Sequence, residues 1–175
     1  MSFKPLKPQS VSLKKLTYSE LKKLGDHANV VYMNYDKQQF YVKTPELVLP
    51  FDSGNMFADP KNDQNGKYSI RVSLDHYQTE GHQDKAFYDM LVELDKMNFD
   101  EGKKNSFSWF KKKSVSDELL KEIYNPLVKF STDQETGEPT QKYPPTFAFK
   151  IMQRDGLIQC KCYDANSNEK NAELN

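Results

Sequence analysis

A mainly β, α+β fold follows from three features of the sequence. An Asp-Gly pair separates two alternating runs near the C-terminus, KYSIRVSLD has a clean period of two, and helical periods are confined to the middle of the chain. Strands, then helices, then strands again predict an antiparallel sheet or small barrel carrying two helical insertions. At 175 residues, the chain fits one domain and can bury a core without disulfides or a metal. The expected organisation is a flexible arm over residues 1–10, one domain over 11–164 and a polar tail over 165–175.

The opening MSFKPLKPQS has lysines and prolines and no apolar run, which suits an arm. From Val11 to Gly25 no single period dominates, and Thr17-Tyr18-Ser19-Glu20 has the form of a capping box before a short helix ending at Gly25. NVVYMNY, a turn at Asp36 to Gln38, and QFYVKT read as a hairpin of Val, Tyr and Phe. Pro45 and Pro50 then break the ladder, and DSGNMFADPKNDQNG is a polar loop punctuated by Gly54 and Gly66. In KYSIRVSLD, Tyr68, Ile70, Val72 and Leu74 alternate with Ser69, Arg71 and Ser73, the mark of a half-buried strand.

Two helices are expected next. Phe87, Met90, Leu91, Leu94 and Met97 or Asn98 share one face of the first. Ser116 caps the second, whose apolar stripe is Leu119, Leu120, Ile123 and Tyr124 and which stops at Pro126. Between them KKNSFSWFKKK fits neither period. PLVKFS, a polar loop (TDQETGEPTQ), and then YPPTFAFKIM and LIQCKCYD around Asp155-Gly156 complete the strands.

The net charge is zero, yet the charge is unevenly placed. Asp75 to Glu101 holds eight acids against Lys85 and Lys96, a net of −6. Lys103 to Lys113 holds five lysines and no acid. A neutral total therefore conceals a basic face. Cys160 and Cys162 are too close for a relaxed disulfide, so two reduced thiols in an intracellular, reducing compartment are expected. No apolar run approaches the roughly 20 residues that span a bilayer.

Catalytic and metal-binding patterns are missing. There is no GxSxG, Gly-rich phosphate loop, HExxH or CxxC, and His27, His76 and His82 match no zinc spacing. Asp89 and Glu93 fall on the solvent side of the first helix. The expectation is a binding protein that is not an enzyme and carries no cofactor.

Binding a single strand without regard to sequence needs cations for phosphates and flat rings for unstacked bases. KKNSFSWFKKK offers both, with Lys103, Lys104, Lys111, Lys112 and Lys113 beside Phe107, Trp109 and Phe110. Two readings of Trp109 and Phe110 stand side by side: base platforms, or anchors of an inter-helix loop in the core. A second set comprises Tyr32, Tyr35, Phe40 and Tyr41 interleaved with Lys37 and Lys43, Arg71 on the polar side of its strand, and Tyr143 beside Lys142. Single-stranded DNA is thus the expected partner. A protein-interaction module using the same aromatic surface, or an RNA-binding module, is the alternative.

The order of VYMNYDKQQFYVKTPELVLPF, KYSIRVSLD, NSFSWFKKKSVSDELLKEIYNPLVKFS and KYPPTFAFKIMQRDGLIQCKCYD resembles a family of nucleo-cytoplasmic large DNA viruses. Its members are similar to the single-stranded-DNA-binding, helix-destabilising proteins of small tailed phages. The resemblance covers roughly Asn29 to Asp164. Its most specific pieces are Thr44-Pro45 followed by Pro50-Phe51, Trp109-Phe110-Lys111, and Tyr143-Pro144-Pro145 before a Phe-rich strand. It implies an OB-like antiparallel barrel with helical insertions and no catalysis or metal. It further implies a role coating single strands in viral replication, recombination or repair, in the host nucleus or a cytoplasmic virus factory. Replication proteins, or further copies of the chain in a homo-oligomer, are the protein partners it suggests. The phage-type proteins carry a strongly acidic C-terminal tail, often ending in an aromatic residue; ANSNEKNAELN does not match that pattern.

Overall fold

The computed structural model describes residues 4–26, 28–50, 57–58, 68–154, 157–163 and 166–170, with backbone alone at 57, 58, 68, 153, 154, 157, 158, 162, 169 and 170. Its contacts cluster into two compact units, each made of two stretches of chain. Unit 1 is Met1–Glu46 with His76–Val128, and unit 2 is Leu47–Asp75 with Lys129–Asn175. His27, Phe51, Gly54, Gly66 and the Asp155-Gly156 pair lie outside the described residues, as do the outermost parts of the predicted arm and tail.

Unit 1 begins with two 3-10 turns, Pro8–Ser10 and Leu13–Lys15, and five short strands: β1 (Leu16–Tyr18), β2 (Lys22–Leu24), β3 (Ala28–Val30), β4 (Met33–Tyr35) and β5 (Gln38–Gln39). Residues 4–10, expected to belong to a free arm, are tied down. Leu6 exchanges backbone hydrogen bonds with Tyr41 and Lys43, at 3.0 and 2.8 Å, and Pro8 is buried.

The helix expected between Thr17 and Gly25 is replaced by β1 and β2. Leu16–Tyr18 pairs with Met33–Tyr35, and Lys22–Leu24 with Ala28–Val30. Tertiary pairing overrides a capping-box pattern that has no sustained apolar period behind it. Asn29 to Tyr35, expected as one strand, is consequently divided between two sheets. The turn at Asp36 does form a hairpin, with Tyr35 opposite Gln38. Asp36 and Lys37 both have positive φ, 49° and 64°, as a two-residue type I′ turn requires. Neither is glycine, and Asp36 is held from outside: its N–H donates to the Lys15 carbonyl at 3.0 Å and its carboxylate pairs with Lys15 Nζ at 2.8 Å.

The helices are α1 (Gln83–Lys104), α2 (Ser106–Phe110) and α3 (Asp117–Ile123). In α1, Phe87, Met90, Leu91 and Leu94 are buried as their spacing predicts, and the helix contacts the Pro8–Ser10 turn and α2. Three helices stand among the described residues where two were expected, because Lys103 and Lys104 extend α1 and SFSWF forms a helical turn of its own. Ser106 is buried at its start, and Lys111 ends it in the left-handed conformation at φ 57°. Five residues are too few for a period to show in sequence. Ser116 caps α3, its hydroxyl accepting from Leu119 N at 3.3 Å. The stripe predicted for α3 is narrower in fact: Leu120 is buried, Leu119 and Tyr124 are half-buried, and Ile123 is 52% exposed.

A hydrogen-bonded chain crosses unit 1. Tyr18 Oη donates to Asn98 Oδ1 at 2.6 Å, Asn98 Nδ2 to Tyr124 Oη at 3.1 Å, and Tyr124 Oη to Asp95 Oδ1 at 2.5 Å. Asp95 also accepts the backbone N–H groups of Leu127 and Val128, from 2.9 to 3.3 Å. One carboxylate thus accepts the N–H groups of the two residues that follow Pro126, which lie outside any helix or strand.

Unit 2 contains β6 (Phe57–Ala58), β7 (Tyr68–Ser73), β8 (Ser131–Thr132), β9 (Pro139–Thr140), β10 (Thr146–Ile151), β11 (Gln153–Arg154), β12 (Leu157–Ile158), β13 (Cys162–Tyr163) and β14 (Glu169–Lys170). The main sheet has the order β10-β7-β6, antiparallel throughout, and β11 pairs antiparallel with β12, Arg154 opposite Leu157. Val72 opposite Phe147 and Ile70 opposite Phe149 build its apolar face, where the two phenylalanine rings meet edge-on at 4.7 Å. The α+β class and antiparallel pairing agree with the sequence. Among the described residues the sheets are open, of two or three strands each, and close into no barrel.

Candidate nucleic-acid interface

The basic segment of unit 1 is built on the junction of α1 and α2. Lys103 pairs with Asp117 and lies 5.1 Å from the Phe99 ring centre, and Lys104 pairs with Glu101 at 2.6 Å. Those two charges are already engaged within the unit. Lys111, Lys112 and Lys113 are exposed, and among the described residues none of the three forms a salt bridge. Lys111 Nζ instead donates to the Ser108 carbonyl at 3.3 Å.

The three rings of the segment differ in environment. Phe107 is 72% exposed. Trp109 and Phe110 are half-buried, their ring centres 6.4 Å apart, and Trp109 meets Tyr18 edge-on at 5.8 Å. Gly102 lies under this arrangement; a Cβ there would meet Leu120 at 3.5 Å and Phe110 at 3.8 Å. Trp109 and Tyr18 also line a groove of about 560 Å³ whose acids are Glu20 and Glu101. Burial raises the Tyr18 hydroxyl to about 12, with the Glu101 charge adding to it, so Tyr18 is a hydrogen-bond donor at neutral pH.

Tyr41 and Lys43, also in unit 1, are exposed on the segment that pairs with Leu6, and Tyr41 Oη donates to Gln39 Oε1 at 2.7 Å. Tyr32 and Tyr35, rings expected from sequence, have cation partners that sequence reasoning did not name: Lys22 over Tyr32 and Lys15 over Tyr35, each at 5.7 Å.

Arg71 and Tyr143, 72 positions apart in sequence, line one concavity of about 770 Å³ in unit 2. Arg71 is exposed on β7, and Tyr143 is 59% exposed with Lys142 Nζ 5.4 Å from its ring centre. Lys129 and Phe130 line the same concavity. Neither was singled out from sequence, because PLVKFS carries no sign of the strand it would lie beside.

Among the described residues no group of three or more His, Cys, Asp or Glu is placed to hold a metal ion, and no helix is long and apolar enough to cross a membrane. Cys160 is an exposed free thiol. Comparison with protein families, curated proteins and solved structures finds no match.

Proposed function

We propose that this protein binds single-stranded DNA without strong sequence preference and without catalysis. The observation that carries the reading is Phe107, a phenylalanine 72% exposed on a helical turn that runs straight into three exposed lysines. An exposed aromatic face costs hydration free energy unless something stacks on it. Unpaired bases supply such a face, and their phosphates suit the adjacent ammonium groups. In this reading Phe107 is the platform, Lys111 to Lys113 contact the backbone, and Trp109 with Phe110 holds the turn in place. The supporting role in viral replication, recombination or repair, and the OB-like arrangement of the strands, come into the proposal from the family resemblance.

Fluorescence anisotropy with labelled oligo-dT, a blunt duplex and an RNA of equal length, at two salt concentrations, tests it. The expected result is tighter binding to dT than to duplex, weakening steeply with salt as counterions are released. Equal affinity for dT and duplex at both salts removes the single-strand reading. A preference for RNA makes the protein an RNA-binding module. Binding that ignores salt points to an apolar protein interface.

A further inference from the structure

The register of unit 2 puts three cations on one face of its main sheet. Directly opposed residues of an antiparallel pair project to the same side, and alternate residues along a strand do likewise. Ser73 lies opposite Thr146, Arg71 opposite Ala148 and Ser69 opposite Lys150. Lys129 bridges Thr146 from the other side of β10, through two backbone hydrogen bonds of 2.8 and 2.9 Å, and Val48 bridges Ser73. Lys129, Thr146, Ser73 and Val48 therefore form one row across the sheet. Arg71 stands one step along from that row and Lys150 two steps. All three cations are exposed.

From strand geometry the Cα atoms of Arg71 and Lys150 are about 8 Å apart, and those of Lys129 and Lys150 roughly 14 Å. The series follows the length of β10 and has Tyr143 at its Lys129 end, around the same concavity. The one acid lining that concavity, Asp75, accepts a hydrogen bond from the Ser73 hydroxyl, and three cations outnumber it on this face. On the opposite face Ile70, Val72, Phe147 and Phe149 are apolar, so the cations have no route inward and are held facing solvent.

We infer that unit 2 carries a second single-strand contact, independent of the Phe107 turn, in which Lys129, Arg71 and Lys150 bind successive phosphates along β10 and Tyr143 stacks a base. This rests on the single-strand reading and makes the protein bivalent, with one contact in each unit. Joined contacts on one strand act with a high effective concentration. Affinity should therefore rise in two stages as the strand lengthens: a weak stage when either unit binds alone, and a much tighter one when both are engaged.

The test is an anisotropy series on the full chain with dT oligomers from 4 to about 30 nucleotides. It compares the wild type with Arg71→Gln/Lys129→Ala/Lys150→Ala and with Lys111→Ala/Lys112→Ala/Lys113→Ala. The expected result is that the unit 2 variant loses the second stage and flattens the salt slope by up to about 0.7 per cation. The unit 1 variant should keep a weak, salt-dependent affinity that disappears when the two sets are combined. A unit 2 variant that folds and matches the wild type in slope and length profile overturns the inference while leaving the single-strand reading intact. A wild type that binds no dT of any length overturns both. If the triple variant melts early, Lys150→Glu alone serves in its place, because Lys150 takes no part in the concavity; an unchanged slope for it also counts against the second contact.

Discussion

The Tyr124 hydroxyl donates to the Asp95 carboxylate at 2.5 Å, and through that bond the exit of α3 is fastened to the middle of α1. Asp95 has three donors, the other two being the backbone N–H groups of Leu127 and Val128. Asp95→Ala leaves all three without their acceptor in a partly buried place, and the expected loss is about 2–4 kcal/mol of stability. Tyr124→Phe removes one donor and leaves Asp95 with two, so about 1 kcal/mol is expected. Urea unfolding of the two variants measures the difference, and equal losses would mean that Asp95 does not collect the backbone donors.

The same chain of hydroxyls sets an alkaline limit. Burial raises Tyr18 to about 12 and, with Asp95 beside it, raises Tyr124 further. A tyrosine whose folded-state pKa exceeds its unfolded value of about 10 stabilises the fold below that pH. The contribution is lost as pH climbs through the folded value. Stability should therefore fall between about pH 10 and 12, and the fall should be shallower in Tyr18→Phe. Melting temperatures followed across that range would show it; identical profiles for variant and wild type would place the alkaline loss elsewhere.

What could be read from sequence divides by the range of the interaction that decides each element. The stripe Phe87-Met90-Leu91-Leu94 and the Ser116 cap depend on neighbours within a few residues, and both form as read; in β7 Val72 is buried and Arg71 exposed as the alternation predicts, but Ser73 is buried too, beside Val48, which bridges it. β1 and β2 form because of partners across a loop, so a local capping-box pattern misleads at Thr17. α2 is short enough that no period can reveal it. The site divides in the same way. KKNSFSWFKKK is contiguous and visible, although sequence cannot tell that Phe107 is presented while Trp109 is half-buried. The row Lys129-Thr146-Ser73-Val48 joins four distant segments, and only the register assembles it.

Gly102 tests the packing beneath the basic turn. It is buried near the end of α1, and an added Cβ would meet Leu120 and Phe110 at ordinary contact distances of 3.5 and 3.8 Å. No left-handed backbone is required there, since its φ is not among the positive ones. Gly102→Ala should raise stability by about 0.4–1 kcal/mol through the unfolded chain's lost freedom. It should leave dT affinity unchanged, as measured by denaturation and anisotropy together. A loss of stability would mean that Leu120 and Phe110 cannot tolerate the methyl group.

Lys111 occupies a left-handed position where glycine is the favoured residue, at a cost of roughly 1 kcal/mol to a side chain. Lys111→Gly relieves that strain and should stabilise the fold by about 0.5 kcal/mol after allowing for the freer unfolded chain. If the ammonium group meets a phosphate, the same variant should bind dT less tightly, with a salt slope smaller by about 0.7. Stability and affinity moving in opposite directions would mark a residue retained for binding. If both rise, or affinity stays fixed, Lys111 is only a turn residue.

Phe107 and Trp109 separate presentation from support. Phe107 has little to lose on truncation, because most of its ring already faces solvent, so Phe107→Ala should leave the melting temperature close to wild type. Removing a stacking platform should nevertheless cost about 1–3 kcal/mol of dT binding. Trp109 is half-buried against Tyr18 and Phe110, and Trp109→Phe keeps a ring but loses the reach that spans those neighbours. It should lower the melting temperature and leave the affinity of the folded molecules nearly unchanged. Trp109 is the only tryptophan, so its emission also reports directly on the turn. In this assignment saturating dT alters the emission modestly, because the base stacks on Phe107 two positions away. Strong quenching of Trp109 together with wild-type binding by Phe107→Ala would exchange the two roles and make the indole the platform.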